Sequence, residues 1–521
     1  MLKSNSMTFT NIMFRRKWNH HKKEIPNILL FMIFALSIYV LFLFYTRGFI
    51  PHDEGWIINP AQRITQGDIP YKDFHYIYTP GVAYIISLGF TIFGTSVLTS
   101  RLITLAFSLL SLFLLFLITK RLTTVRFGYL TPSFLFLVWM PLHINFAWPV
   151  LFAICSGLST CYLFLLFQSK QNKYFVLSAG ITTGLTLLLK QNFGLALLLT
   201  SLMFFIFEKR AKTYKNASLF IIGFVLFPLV MCVYFYFTSA LFPFFSDMYF
   251  FMVTQIILKG HQSTPFIYPD IWYKEIAKTL FYTCPLIFSV IAGVIVYKKN
   301  KNVLFLIFFT IFYYLLGIRP TTDFMHLVPL LSLTGIPLLI ILIYGKNKLL
   351  TYCTFIFFFV SIMIGVYSSL FMNYYRWDTP LLYQNKYTQN QRLGVLTDSK
   401  YQQVVPQLTN YIDANSAKNS YLFIYTFSPS IYILADRKNP TKFIFLPASI
   451  LSQHDENEII ETLSTKNVPI ILTDSDITND SSKIALYIKK RYVKVKTISN
   501  YTLWKNRHKP ISKTVNNSSR V

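Results

Sequence analysis

Asp53 and Glu54 stand side by side at the start of a polar stretch, IPHDEGWIINPAQRITQGDIPYKDFHYIYTPG (50–81), that directly follows an apolar run. A carboxylate held on a short tether at a membrane surface can take a proton from a hydroxyl or amine, which is the work of a general base. Pro51 and Gly55 flank the pair. The plainer alternative is two solvated acids in an exposed loop. Further along, Lys72, Asp73 and His75 are interleaved with Tyr71, Phe74, Tyr76 and Tyr78. Each ring alone fits an aromatic belt at headgroup level; as a group they can stack on a sugar face.

A second set lies in GIRPTTDFMHLVPLL, where Arg319, Asp323 and His326 are spaced by four and three residues. On a helix such spacings share a face, but Pro320 confines helix to the residues after it, so Arg319 arrives from a loop. The guanidinium fork suits a phosphate dianion, and Asp323 can orient either neighbour. The alternative is a snorkelling arginine with a local salt bridge. Lys190 closes the apolar segment ITTGLTLLLK. It falls on the side of the membrane that the other cations avoid, so an anionic ligand is a natural partner and an interfacial anchor the alternative.

The elements that must position these groups are membrane helices. The 521 residues are 54% hydrophobic and 13% charged, where a soluble chain carries about a quarter charged residues. The apolar residues fall in blocks long enough to cross a bilayer core of about 30 Å as helices, which predicts a polytopic α-helical membrane protein. The net charge of +28 then reads as topology signals and anionic-lipid contacts rather than a nucleic-acid surface. Cys155, Cys161, Cys232, Cys284 and Cys353 all lie in apolar segments and form no CxxC pair, so they read as small core residues. The basic stretch RRKWNHHKKE leads into an apolar run of full spanning length without a small-residue cleavage site, unlike a cleaved signal peptide.

Spans are expected at about 27–46, 101–119, 128–146, 148–167, 175–189, 194–207, 217–237, 278–297, 303–317, 327–344 and 349–370. Residues 82–98 could cross or lie along the surface. With 82–98 not crossing, the basic clusters at Lys120/Arg121, Lys170/Lys173, Lys209/Arg210, Lys298/Lys299 and Lys346/Lys348 all fall on the cytoplasmic side. The positive-inside rule therefore favours about eleven transmembrane helices, with the N-terminus in and the C-terminus out. This gives a cytoplasmic segment (1–26), a transmembrane domain (27–373) with an outer loop (47–100), an extracytoplasmic α/β domain (374–504) and a basic tail (505–521). In the α/β domain, strands are expected at 420–427, 442–447, 468–474 and 492–498, and helices at 428–437, 456–466 and 481–492, with Ser428 as a helix cap. No Walker-type loop and no HExxH site occurs. Few charges lie in mid-span, which argues against an ion-coupled transporter.

A first span followed by an acidic pair and AQRITQGDIPYKDFHYIYTPG, then FGTSVLTSRLITLAFSLLSLFLLFLITKRL and IYILADRKNPTKF, resembles the GT-C superfamily of integral-membrane glycosyltransferases, nearest its protein-mannosyltransferase-like and aminoarabinose-transferase-like bacterial group. The resemblance implies a multi-pass protein of the bacterial inner membrane. Such a protein moves a sugar, with inversion, from a polyprenyl-phosphate donor to a lipid, glycan or protein acceptor at the extracytoplasmic face. Asp53 matches the family's loop aspartate, a base or acceptor-positioning group, and Glu54 the second acid. Arg319 and His326 would hold the lipid phosphate. The aminoarabinose transferases carry a lysine shortly before the proline that ends this loop; here the stretch reads YIYTP with Lys72 earlier, so phosphate contacts fall to Arg319, His326 or Lys190. Paired carboxylates beside phosphate suit Mg²⁺ or Mn²⁺, with Asp53 and Glu54 as ligands, though nothing in the spacing requires a metal. A flippase of lipid-linked sugars and a non-catalytic envelope scaffold are the alternatives from other classes.

Overall fold

The structure is a computed structural model. It describes residues 27–123, 126–207, 213–251, 272–300, 303–318, 324–371, 380, 383–444, 446, 452–474, 477 and 480–507. The first part of the chain is a helical bundle: α1 (Asn27–Tyr45), α2 (Asp53–Thr65), α3 (Gly81–Phe93), α4 (Val97–Leu122), α5 (Arg126–Trp139), α6 (Pro149–Lys170), α7 (Lys173–Leu189), α8 (Gln191–Phe207) and α9 (Thr213–Phe237). Beyond them come α10 (Leu241–Ser246), a π-helical turn (Asp247–Phe251), α11 (Trp272–Lys299), α12 (Leu304–Gly317), α13 (Phe324–Leu333), α14 (Gly335–Tyr344) and α15 (Lys348–Phe371).

Among the described residues, α4, α6, α9, α15 and the stretch Tyr282–Lys299 of α11 have the length and hydropathy to cross a membrane. Shorter apolar helices include α7, α8 and α12. One expected span is shortened, α5 stopping at Trp139, and another, 327–344, is split between α13 and α14. The helix α3 has 13 residues, about 20 Å of rise, well short of a bilayer core. Ile222 and Val230 on α9 and Phe359 and Met363 on α15 are exposed, as lipid-facing side chains are, whereas the centre of α6 is buried on all sides.

Close backbone approach holds α7 against α9. A Cβ on Gly180 would stand 2.1 Å from the Phe220 carbonyl oxygen, one on Gly184 2.3 Å from that of Phe224, and one on Gly223 2.4 Å from that of Leu177. Small residues four apart allow this contact in lipid, where apolar burial gives helices little reason to associate and packing must do so.

The C-terminal part is an α/β domain: α16 (Ser399–Asn415), β1 (Leu422–Tyr425), α17 (Ile431–Leu434), α18 (Gln453–Thr465), β2 (Ile470–Asp474), α19 (Lys483–Arg491), β3 (Tyr492–Ile498) and β4 (Tyr501–Asn506). The sheet order is β1-β2-β4-β3, with β1 and β2 parallel and the other pairs antiparallel. Strand β4 was not expected. It returns from β3 through a tight turn in which Ser499 has φ 55°, and it extends the domain to Asn506. The described part of 442–447 is not a strand. Phe443 and Leu446 are buried, but the Phe443 carbonyl accepts from the side chains of Asn439 (2.7 Å) and Thr441 (3.2 Å) rather than from a neighbouring strand. Helix is confined to α17, a single turn, and Ser428 does not cap it: its hydroxyl meets the Tyr501 hydroxyl at 2.9 Å. Ser452 and Ser482 do cap, on α18 and α19.

Gly180→Val should force α7 and α9 apart. The expected outcome is a fall in melting temperature of several degrees in detergent, followed by thermal-shift fluorescence, whereas Val on the exposed face of α9 at Ile222 should leave it within a degree or two.

Candidate functional site

The helix α2 begins at Asp53, and both acids lie in its first turn, where the N-terminal end of the helix dipole favours negative charge. Asp53 is 7% exposed and Glu54 fully buried. Helical geometry turns successive side chains by about 100°, so neighbours in this turn face different partners. Glu54 faces α4. Its two oxygens accept from Arg101 Nε (2.7 Å) and Nη2 (2.8 Å), a bidentate pair with both side chains inaccessible to solvent. Arg101 Nη1 also donates to the Arg47 carbonyl (2.5 Å), which accepts from Asn145 Nδ2 (2.7 Å) as well; the same amide reaches the Phe44 carbonyl at 2.8 Å. The end of α1, α4 and the turn before α6 thus meet at one point, and Glu54 is fastened to it.

Trp56 lies three residues from Asp53 and shares its face of the helix. Its ring leads into an aromatic ladder: Trp56 to Tyr78 at 5.8 Å between centroids, Tyr78 to Trp148 at 6.2 Å, and Trp148 to His326 at 6.1 Å. Lys190 is inserted in this ladder. Its Nζ lies 4.1 Å from the Tyr78 ring centroid and 5.6 Å from that of Trp148. Lys190 is the single extended residue between α7 and α8, and it is 4% exposed. An ammonium this buried is attracted by aromatic faces, which supply only part of what water would. Around it the Trp148 indole N–H and the Thr79 hydroxyl are buried without a hydrogen-bond partner in the protein, and most buried polar groups do have one. The end of the first loop is pinned to the same turn, since Gln191 Nε2 donates to the Ile77 carbonyl (3.1 Å) and Gln191 Oε1 accepts from Thr79 N–H (3.4 Å). Asn192 donates to the Leu316 carbonyl at 2.9 Å, which brings the end of α12 alongside.

Other candidate residues have structural partners. Tyr71 has φ 69°, is buried, and donates its hydroxyl to the Tyr78 carbonyl at 2.6 Å; burial pushes that phenol well above its ordinary pKa, so it stays a neutral donor. Asp73 accepts from the Ile69 N–H at 2.7 Å, closing a local turn. His75 is exposed, and its Nδ1 lies 2.9 Å from Asp247 Oδ1, whose other oxygen accepts from the Tyr76 N–H at 3.1 Å. Lys72 is exposed. Arg319 and Asp323 lie outside the described residues. Arg101, Asn145, Trp148 and Gln191 were not anticipated. Arg101 and Trp148 each read as the first residue of an apolar span, and only the fold shows what each touches.

The acidic pair does not fit a divalent cation as it stands, because the Arg101 guanidinium occupies both oxygens of Glu54. Among the described residues no group of three or more His, Cys, Asp or Glu side chains converges on one point.

The buried ion pair has a testable signature. Arg101→Leu leaves the Glu54 carboxylate uncompensated, and such a loss costs about 3–5 kcal/mol. A double-mutant cycle with Glu54→Leu, read by melting temperature in detergent, should show the double variant more stable than Arg101→Leu alone.

Residues 78–236 match the family model described as dolichyl-phosphate-mannose-protein mannosyltransferase. No curated protein sequence matches the chain. Among solved structures, ArnT from Cupriavidus metallidurans in the apo state superposes with a TM-score of 0.55 at 11% identity, covering 92% of this chain and 97% of ArnT. The form bound to undecaprenyl phosphate gives 0.54 at 11% identity, with 92% and 98% covered. The Archaeoglobus fulgidus oligosaccharyltransferase in complex with Zn and sulfate gives 0.50 at 14% identity, with 91% of this chain and 72% of that one covered. At these identities the likeness to solved structures is one of fold, and it extends over nine-tenths of the chain. The chain thus has the fold of ArnT over nearly its whole length, and the stretch from Tyr78 to Tyr236 is similar to the mannosyltransferase family model.

Proposed function

We propose that the chain is an inverting glycosyltransferase that takes a sugar from a polyprenyl-phosphate donor and passes it to a lipid, glycan or protein acceptor at the extracytoplasmic face of a bacterial inner membrane. The observation that carries this reading is the aromatic ladder that joins the Asp53 turn to a buried Lys190. A polyprenyl phosphate keeps its tail in lipid, since each CH₂ withdrawn costs about 0.8 kcal/mol, so its reactive carbon is confined to the interface. Asp53 takes the proton of the acceptor hydroxyl or amine as that atom attacks the anomeric carbon from the face opposite the phosphate. The bond from that carbon to the phosphate oxygen breaks, and the phosphate leaves with the electron pair. Lys190 and His326, with Arg319, meet the charge that grows on it. The Trp148 N–H and the Thr79 hydroxyl are available to its oxygens or to sugar hydroxyls. Glu54 serves as the anchor of the turn rather than as a second base.

Orientation follows from the same helices. Each of α4, α6 and α7 runs between the site and a basic cluster. Arg101 stands near the start of α4 with Lys120 and Arg121 in its last turn, α6 runs from Trp148 to Lys170, and α7 from Lys173 to Lys190. Arg121 Nη1 donates to Ser169 Oγ at 3.2 Å, so two of the basic ends lie together. The positive-inside rule then puts those ends in the cytoplasm and the site, with the C-terminal domain, outside.

Purified protein given polyprenyl-phosphate sugars should release free lipid phosphate. Asp53→Asn should lower that rate by about 10²–10⁴-fold and leave donor binding within about threefold. Lys190→Met should weaken binding of polyprenyl phosphate about tenfold or more. Movement of the donor across vesicles with no phosphate released, unaltered by Asp53→Asn, would replace this reading by a transporter. In a cysteine-free background, Asn457→Cys should react with an impermeant thiol reagent in intact cells, and Gln171→Cys only after permeabilisation.

A further inference from the structure

Gly55 stands two residues beyond Asp53, so on a helix it faces about 200° away, the opposite side of the turn. There α2 has no side chain, and the C-terminal domain fills the space. A Cβ on Gly55 would stand 2.1 Å from the Ser430 nitrogen and 2.8 Å from the Pro429 carbonyl carbon. Ser430 is fully buried. Both its donors go to the Pro51 carbonyl, Oγ at 2.7 Å and N–H at 3.2 Å, and that carbonyl lies two residues before Asp53.

Ser430 is itself firmly held. The neighbouring Ser428 hydroxyl meets Tyr501 of β4 at 2.9 Å. The Tyr432 hydroxyl accepts from the Ile424 N–H of β1 at 3.1 Å. Farther along α2, Gln62 Nε2 donates to the Tyr432 carbonyl (3.3 Å) and Arg63 Nη1 to the Thr441 carbonyl (2.6 Å). The first turn of α2 is therefore braced on three sides, by Arg101 at Glu54, by Tyr78 at Trp56 and by Ser430 behind Gly55.

We propose that the C-terminal domain is a working part of the catalytic machinery, with Ser430 as a positioning residue. By holding the Pro51 carbonyl and seating against Gly55, it fixes the direction of the Asp53 carboxylate. This rests on the reading of Asp53 as the base, and it assigns the domain a task that lipid or acceptor recognition would not require. A displacement of the turn by a fraction of an ångström affects the chemical step far more than donor binding, because the proposed phosphate contacts, Lys190 and His326, lie outside α2.

The test uses the full-length protein in detergent or nanodiscs. Ser430→Ala should lower kcat about five- to tenfold with donor KM within twofold of wild type. Ser430→Thr, which keeps the hydroxyl, should return kcat to within twofold. Tyr501→Phe, a milder change that loosens Ser428, should lower kcat about threefold and serves if Ser430→Ala does not fold. Amide hydrogen exchange over 51–58 should quicken in Ser430→Ala. Wild-type kcat in Ser430→Ala, or a loss that Thr does not rescue, overturns the proposal. If wild type turns over no donor, the enzyme reading fails by itself. The exchange measurement then decides alone: faster exchange over 51–58 upholds the brace, and unchanged exchange overturns it.

Discussion

The ion pair between Glu54 and Arg101 is the constraint on which the site depends. Two charges removed from water are costly unless each is fully satisfied, and here the pair is bidentate, with the remaining guanidinium nitrogen on a backbone carbonyl. That arrangement has one low-energy geometry. It locks α2 to α4 and, through Asn145, to the end of α1. The neighbouring Asp53 inherits its position from this lock. On the proposed reading an acid that must be aimed is adjacent to one that cannot move, and the helix turns the two toward different partners.

The cationic side of the site is built on a different principle. Lys190 sits where two helices meet with one extended residue between them, so its side chain is projected by the break rather than by a helical face. The rings of Tyr78 and Trp148 pack against it. Aromatic faces attract the ammonium and exclude water, and in such a site an anion of the kind proposed is attracted more strongly than in water.

Much of this was legible in the sequence. The membrane helices and the acidic pair beyond the first of them follow from local pattern, because hydropathy and charge register in runs of neighbouring residues. What stayed hidden depends on contacts far apart in the chain. Glu54 and Arg101 are 47 residues apart, and nothing local marks one as the other's partner. Ser428 looked like a helix cap by type and spacing, but Tyr501, 73 residues on, takes its hydroxyl. The run at 442–447 has strand-like composition, yet side chains of Asn439 and Thr441 satisfy its backbone and keep it out of the sheet. Short apolar runs do not by themselves reveal whether a ladder or a side chain will meet their carbonyls.

The strand order β1-β2-β4-β3 has a consequence for biogenesis. Of the described strands, the one furthest along the chain belongs in the interior of the sheet, between β2 and β3, and it carries the Tyr501 hydroxyl that secures Ser428. Helices inserted during synthesis therefore reach the lipid with their Asp53 turn still unsupported on one side. On the proposed reading, a chain embedded in the membrane but cut short before Tyr501 lacks that support and is held back from sugar transfer.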